Sequence, residues 1–453
     1  MQTSSHCGLE WWVVTATPPP IVHAQTVDIS DVVGADVDLL SLIPAAIPGE
    51  SISAWLREDH GLVGWGRCLE FRSTGPDRFA EAEAWWKDIV ARADVSDAVG
   101  VFGSGLVTFG TFSFADDSEH ESVLVVPEVI LGRRDGAVWR TDIGLSALDT
   151  EIERADLAQH QWSPQSTEVQ FTDGSITAQG WPEVVAKAVS RIQSGDVEKV
   201  VLARDIVAQA EHDIDVRTLV ARLNSRYAAT WTFAVDGIVG ATPEMLVRLR
   251  DAQARSRVLA GTVRRDSRPG PSRPEAHPEL EGHHSTDPRL RLISSDKDLE
   301  EHEYAVRSVA EALGPHCTHL DVPTEPFVLE LPDVYHLASD LIGDAVTGAT
   351  SLRLAAALHP SAAVCGTPRN IAAELITELE EMDRGRYAGP VGWMDTNGDG
   401  DWGIALRCGE FCENRTKIRL FAGGGIVAAS KPDAELAETE IKFAAMRHAL
   451  GAS

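Results

Sequence analysis

Two pairs of carboxylates, far apart in the chain, are the residues best placed by type and spacing to do chemistry. Asp298 and Glu301 lie in Asp298-Leu299-Glu300-Glu301-His302; Glu435 and Glu438 lie in Glu435-Leu436-Ala437-Glu438, with Lys442 four residues further on. Each pair is spaced i,i+3, so on a helix both acids project from one face. Two such faces brought together make an all-oxygen, anionic pocket. That suits a hard cation such as Mg2+, which shares its coordination with anionic groups of a substrate. Either pair alone fits a solvated helix face equally well.

Further candidates are single residues in telling places. Lys199 opens the apolar run Lys199-Val-Val-Leu-Ala-Arg204. Desolvation and nearby positive charge lower a lysine's pKa and make it a general base, although such a head also simply reaches solvent. Glu244, in Ala241-Thr-Pro-Glu-Met-Leu-Val, reads as a turn residue, or as a general acid if a cleft buries it and raises its pKa. Phe421-Ala-Gly423-Gly424-Gly425 follows a strand-like run. Its glycines either form a tight turn or let backbone N–H groups approach a carboxylate. The spacing is neither GxGxxG nor a P-loop, which speaks against a nucleotide. Arg407 ends Ile-Ala-Leu-Arg, and its planar fork matches a carboxylate. Asp395-Thr-Asn397-Gly-Asp399-Gly400 matches the first half of an EF-hand loop, but Leu406 stands where the bidentate acid belongs, so a hairpin turn is expected.

The elements that must position these residues follow from periodicity. Residues 1–25, with Pro18-Pro19-Pro20, read as a loosely held lead-in. Residues 26–180 alternate short apolar runs with turn signals and read as β-rich, with one helix over 79–93. Residues 181–453 hold every catalytic candidate. There the pattern predicts helices over 181–194, 298–313 and 372–383, a buried strand at 199–204, a polar loop over 265–288, and a hairpin of 391–395 with 402–408.

Lys and Arg number 40 and Asp and Glu 69, a formal net charge of −29. Such a surface repels nucleic acid and anionic membranes, so neither is an expected partner. An anion site here must be built locally, from a few cations and backbone N–H groups. No apolar run is long enough to span a bilayer. Met1–Val22 lacks a basic start and contains Glu10, so it does not read as a signal peptide. The six cysteines are scattered and show no disulfide framework, which points to reduced thiols and a cytoplasmic protein.

Taken together, nine segments resemble the chorismate-utilising family of isochorismate, salicylate, anthranilate and aminodeoxychorismate synthases. They are KVVLAR (199–204), ATPEMLV (241–247), LAGTVRR (259–265), SSDKDLEEH (294–302), LHPSAAVCGTP (358–368), MDRGRYAGPVGW (382–393), ALRC (405–408), FAGGGIV (421–427) and ETEIK (438–442). The resemblance covers about residues 181–450. It implies an α+β fold: two large, mostly antiparallel sheets packed together, helices outside, and the active site in the cleft between them. It implies Mg2+ as cofactor, with Glu301 and Glu438 as ligands and Asp298 and Glu435 holding metal waters or orienting the ligands. It also implies Lys199 as base and Glu244 as acid. Gly423, Gly424 and Lys442 would hold the ring carboxylate, Arg407 and Tyr387 the enolpyruvyl carboxylate, and Thr262 and His336 would line the pocket.

Within the family, members that activate water carry lysine at the position of Lys199, and Ala260 stands where one type of aminodeoxychorismate synthase has a nucleophilic lysine. Ala363 matches isochorismate synthases; salicylate synthases tend to have threonine there. Tyr387 points the other way, since some isochorismate synthases have phenylalanine. The expectation is an isochorismate synthase feeding menaquinone or catechol siderophore assembly, with salicylate synthase as the alternative. No glutaminase subunit is expected, and a monomer is.

Overall fold

Lys199–Ala210 is buried along almost its whole length because it runs from one hydrophobic core into another. Val200 and Leu202 belong to a core shared by two sheets; Ile206 and Ala208 belong to a second core that also takes in Leu219, Leu223, Phe443 and Met446. The computed structural model describes residues 20–148, 167–264, 287–330, 334–412 and 414–452; the side chains of Glu50, Thr262, Arg264, Lys297, Glu301 and Val334 lie outside that description.

Among these residues the strands form a 13-stranded and a 10-stranded sheet, counting one short strand in each that pairs off the main order: Gly366–Thr367 beside Lys199–Ala210, and Phe327–Glu330 beside Val334–Ala345. The larger runs through Val169–Asp173, Lys199–Ala210, Lys417–Ile426, Cys408–Phe411, Ile238–Thr242, Trp231–Val235, Ser53–Arg57 and His60–Trp65, then Val129–Arg134, Ala137–Gly144, His23–Asp28 and Asp94–Asp97. The smaller runs through Cys317–Asp321, Val334–Ala345, Gln253–Arg264, Met245–Arg250, Gly400–Ile404, Pro390–Asp395, Val107–Thr111, Ser122–Val126 and Leu69–Ser73. Pairing is antiparallel except between His23–Asp28 and Asp94–Asp97. N-terminal strands complete both sheets: Ser53–Arg57 pairs with Trp231–Val235, and Val107–Thr111 with Pro390–Asp395. Trp55 and Phe233 of the larger sheet and Phe109, Trp393 and Trp402 of the smaller fill the core they share. Helices Arg78–Val90, Asp296–Leu313 and Ser351–Leu358 pack against the smaller sheet, and Val216–Arg226 and Pro432–Ala449 against the larger. This is the α+β architecture the resemblance implies.

Twice the chain crosses between the sheets at one place. Thr242 ends a strand of the larger sheet and Met245 begins one of the smaller, so Glu244 sits on the crossing. Ile404 ends a strand of the smaller sheet and Cys408 begins one of the larger, so Arg407 sits on the return crossing, in the left-handed region at φ 49°. The two crossings are tied together: Ile404 N–H donates to Glu244 O at 3.1 Å, and Ala241 N–H to Arg407 O at 3.2 Å.

The structure departs from sequence expectation in several places. The stretch 402–408 is not one strand; it breaks where the chain changes sheets. His23–Asp28, which begins within the segment read as a lead-in, is held on both sides by ladders, whereas residues 1–19 lie outside the described ones. The segment read as a polar loop ends in a short helix, Pro288–Ile293, capped by Asp287; residues 265–286 lie outside the description. The helix expected over 372–383 is Arg369–Glu380 and stops because Glu381 turns left-handed at φ 51°. The Gly423–Gly425 cluster lies inside the strand Lys417–Ile426 rather than after it. The EF-hand-like segment is the hairpin turn expected: Asp395 Oδ1 accepts from the N–H groups of Asn397 (2.8 Å) and Asp399 (3.0 Å).

Candidate active site

The base candidate and the glycines face one another across a ladder. Val201, Leu202 and Ala203 pair with Gly425, Gly424 and Gly423. The Lys199 side chain lies over Gly425: a Cβ there would stand 2.9 Å from Lys199 Cε and 3.4 Å from its Nζ. Next along the strand, a Cβ on Gly424 would stand 3.2 Å from Glu435 Oε2 and 3.5 Å from Glu438 Oε1. The helix Pro432–Ala449 thus aims both acids at bare backbone. Lys442, one turn later, donates from Nζ to Gly423 O at 2.6 Å and pairs with Glu438 Oε1 at 2.6 Å.

From the smaller sheet come the opposing groups. Ser295 caps the helix Asp296–Leu313 by accepting the Asp298 N–H at 3.3 Å. Asp298 packs on Gly261, where a bulge interrupts the strand Gln253–Arg264. His302, one turn on, is buried, with Nε2 2.8 Å from Ser339 Oγ and Nδ1 3.3 Å from Ala260 O, and so fastens the helix to the sheet. His336 stands opposite Thr262 in the ladder. The side chains of Glu301 and Thr262 lie outside the description.

Among the acids named for this site, burial acts most clearly on Glu244. It is half-buried, and burial pushes its carboxyl up to about 7, against the opposing pull of the Lys199 and Lys442 charges. A carboxyl poised there can hold a proton at neutral pH and give it up. His336 moves the other way: burial first, then the Arg407 and Lys442 charges, bring it down to about 4, so the imidazole is neutral. Tyr387 is buried against Phe421, rings stacked at 5.0 Å, and burial raises its pKa, so it stays a phenol. The Arg407 charge acts on both His336 and Tyr387. Ala363 and Glu244 line one small cavity of about 20 Å³.

These residues suit a hard cation: Asp298, Glu435 and Glu438 offer carboxylate oxygen alone, and a cradle that a single Cβ at Gly424 would fill. These three acids do not converge on one point as closely as ligands of a bound ion do. Among the described residues the one close-set group of possible metal ligands is Glu58, Asp59 and His60, on a hairpin turn where both acids are exposed.

One pair escaped sequence reasoning. Glu380 and Arg384 are fully buried and bound to each other, with Arg384 Nε 2.9 Å from Glu380 Oε2. The sequence shows only an i,i+4 Glu–Arg spacing, the commonest kind of surface ion pair.

Comparison with known proteins gives the family. The sequence profile of the chorismate binding enzymes matches residues 35–451. The chain is 38% identical to isochorismate synthase DhbC of Bacillus subtilis over 279 residues, 59% of this chain and 66%, just under two thirds, of that protein. It is 31% identical to the salicylate biosynthesis isochorismate synthase of Pseudomonas aeruginosa over 462 residues, 95% of this chain and 93% of that one. The crystal structure of DhbC from Bacillus anthracis superposes with a TM-score of 0.71 at 28% identity, covering 91% of this chain and 99% of the other. The chain belongs to the chorismate-binding enzyme family.

Proposed function

We propose that this protein is a Mg2+-dependent isochorismate synthase of the cytoplasm, converting chorismate to isochorismate for menaquinone or catechol siderophore assembly. The observation that carries the reading is Glu244, which sits on the crossing between the sheets and whose carboxyl burial pushes up to about 7 against the opposing charges of Lys199 and Lys442. Lys199 removes a proton from water as its oxygen bonds to C2 of the ring. The two ring double bonds shift by one position each, and the C4–O bond breaks. Glu244 gives its proton to the departing oxygen, which leaves as water. One water enters and one leaves, so the reaction is an isomerisation.

Glu301 and Glu438 would hold Mg2+, with Asp298 and Glu435 beside them, and the bound cation would neutralise the ring carboxylate. Gly423, Gly424 and Lys442 receive the same carboxylate. Arg407 and Tyr387 receive the enolpyruvyl carboxylate, and Thr262 and neutral His336 line the ring pocket. Alanine at 363, on the cavity that Glu244 also lines, brings no hydroxyl of its own, which favours stopping at isochorismate over expulsion of pyruvate.

Product analysis with chorismate and Mg2+, and an EDTA control, tests the reading. Isochorismate at an equilibrium mixture with little pyruvate is expected. Salicylate with matching pyruvate would show that Ala363 does not block elimination, and no Mg2+-dependent product would refute the assignment. Lys199→Ala and Glu244→Gln should each lower kcat by about 100-fold or more while leaving the fold intact; wild-type-like turnover in either would remove that residue from its role.

A further inference from the structure

We propose that Arg384, locked to Glu380, is a positioning residue that fixes the strand carrying Lys199 against the segment carrying Ala363. The inference rests on the isochorismate synthase reading, in which Lys199 and Ala363 serve one reaction.

Arg384 spends its donors on three separate pieces of chain. Nη2 donates to Val201 O at 2.7 Å, two residues from Lys199; Nη1 donates to Val364 O at 2.9 Å, the residue after Ala363; Nε and Nη2 bind the two oxygens of Glu380, at 2.9 and 2.5 Å. Glu380 in turn accepts the Ala203 N–H at 2.7 Å. The guanidinium lies 4.3 Å over the ring of Phe114, and Tyr387 follows three residues later on the same turn. Val201 N–H also donates to Cys365 O at 2.8 Å, so the two pieces that Arg384 joins already touch.

A buried ion pair is a poor device for stability alone. Its desolvation offsets most of its attraction, and well-packed apolar residues of similar volume often do as well. Direction is what the pair supplies and apolar packing does not. A planar fork with four bonds in fixed geometry sets where the carbonyls of Val201 and Val364 lie relative to each other. Reacting groups tolerate little error in such placement.

Arg384→Lys keeps the charge opposite Glu380 but removes the fork. The expected result is a cooperatively folded protein whose kcat on chorismate with Mg2+ falls about 100-fold while KM stays within about threefold. Arg248→Lys is the control. It removes a fork bound to the buried Asp401 in the smaller sheet and should leave kcat within about twofold of wild type. Should Arg384→Lys not fold, Glu380→Gln carries the test: its amide oxygen can still accept the Ala203 N–H, and kcat should fall about tenfold with KM unmoved. A folded variant of either residue with wild-type kcat overturns the proposal. So does a rise in KM at constant kcat, or an equal loss in Arg248→Lys. Wild-type protein inactive on chorismate would bring down the functional reading and this inference together, whereas an active wild type with unaffected variants would sink this inference alone.

Discussion

Glu244 has opposite consequences for stability and for chemistry. In the unfolded chain it ionises near 4.5; in the folded protein it ionises near 7. Folding therefore favours its protonated form. That contribution is fully present below pH 4.5 and is lost as pH rises from 4.5 through 7, amounting to at most about 3 kcal/mol. Glu244→Gln cannot ionise and should escape the loss. Urea unfolding should find it equal to wild type at pH 4 and more stable by about 1–3 kcal/mol at pH 8. A variant less stable at pH 8 would mean that the cleft accommodates the carboxylate well and that Glu244 is no poised acid. In the same range wild-type kcat should decline above pH 7 as the proton is lost. Lys199 and Glu244 were picked out through the resemblance, since each alone also fits a plainer reading. Glu380 and Arg384 were not, because an i,i+4 pair carries no sign of its burial.

At the scale of the element, three successive glycines of the strand Lys417–Ile426 separate three effects. Glycine is a poor strand former, so the cluster read as a turn. What overrides propensity is the closeness of neighbouring groups, which no local pattern reveals. A Cβ at Gly423 would stand 2.4 Å from Leu202 O, against backbone that cannot yield. Gly423→Ala should break the ladder and destabilise the protein by about 2 kcal/mol or more, read by its melting temperature. At Gly424 the neighbours are Glu435 and Glu438, so Gly424→Ala should instead raise the Mg2+ concentration needed for half-maximal activity, by about tenfold, at nearly unchanged stability. At Gly425 the neighbour is the Lys199 side chain, so the alanine variant should lower kcat and leave the Mg2+ requirement alone. Equal effects of the last two on Mg2+ would contradict the division between metal cradle and base. The helices were easier to read, since their apolar faces repeat along the chain; their ends slipped by two or three residues where capping, as at Ser295, or a left-handed residue, as at Glu381, decided the boundary.

Across the whole molecule, fold class was legible through the resemblance of nine segments, but sheet order was not. The strands of each sheet come from both halves of the chain, and long-range pairing leaves no local signature. One consequence is a clamp between sheets. Asp236, on the turn between Trp231–Val235 and Ile238–Thr242 of the larger sheet, receives Arg67 (2.7 Å), Arg72 (3.0 Å) and Arg386 (2.8 Å), and Arg72 belongs to the edge strand Leu69–Ser73 of the smaller. Arg386 also binds Glu410 at 2.6 Å. Although burial opposes ionisation, the three guanidiniums together hold the Asp236 carboxyl down at about 2. A depressed acid stabilises above its unfolded pKa of 3.8 and loses that contribution as pH falls toward 2, here about 2 kcal/mol. Asp236→Asn keeps the shape and removes the charge, leaving Arg386 buried with less compensation. It should be less stable than wild type by about 2–4 kcal/mol at pH 7. The gap should narrow by about 2 kcal/mol between pH 4 and pH 2, as wild type takes up the proton that the variant lacks a site for. Denaturant unfolding across that range decides the matter. A gap constant with pH would mean that the clamp works by shape and hydrogen bonding, and that the charge on Asp236 contributes nothing to holding the two sheets together.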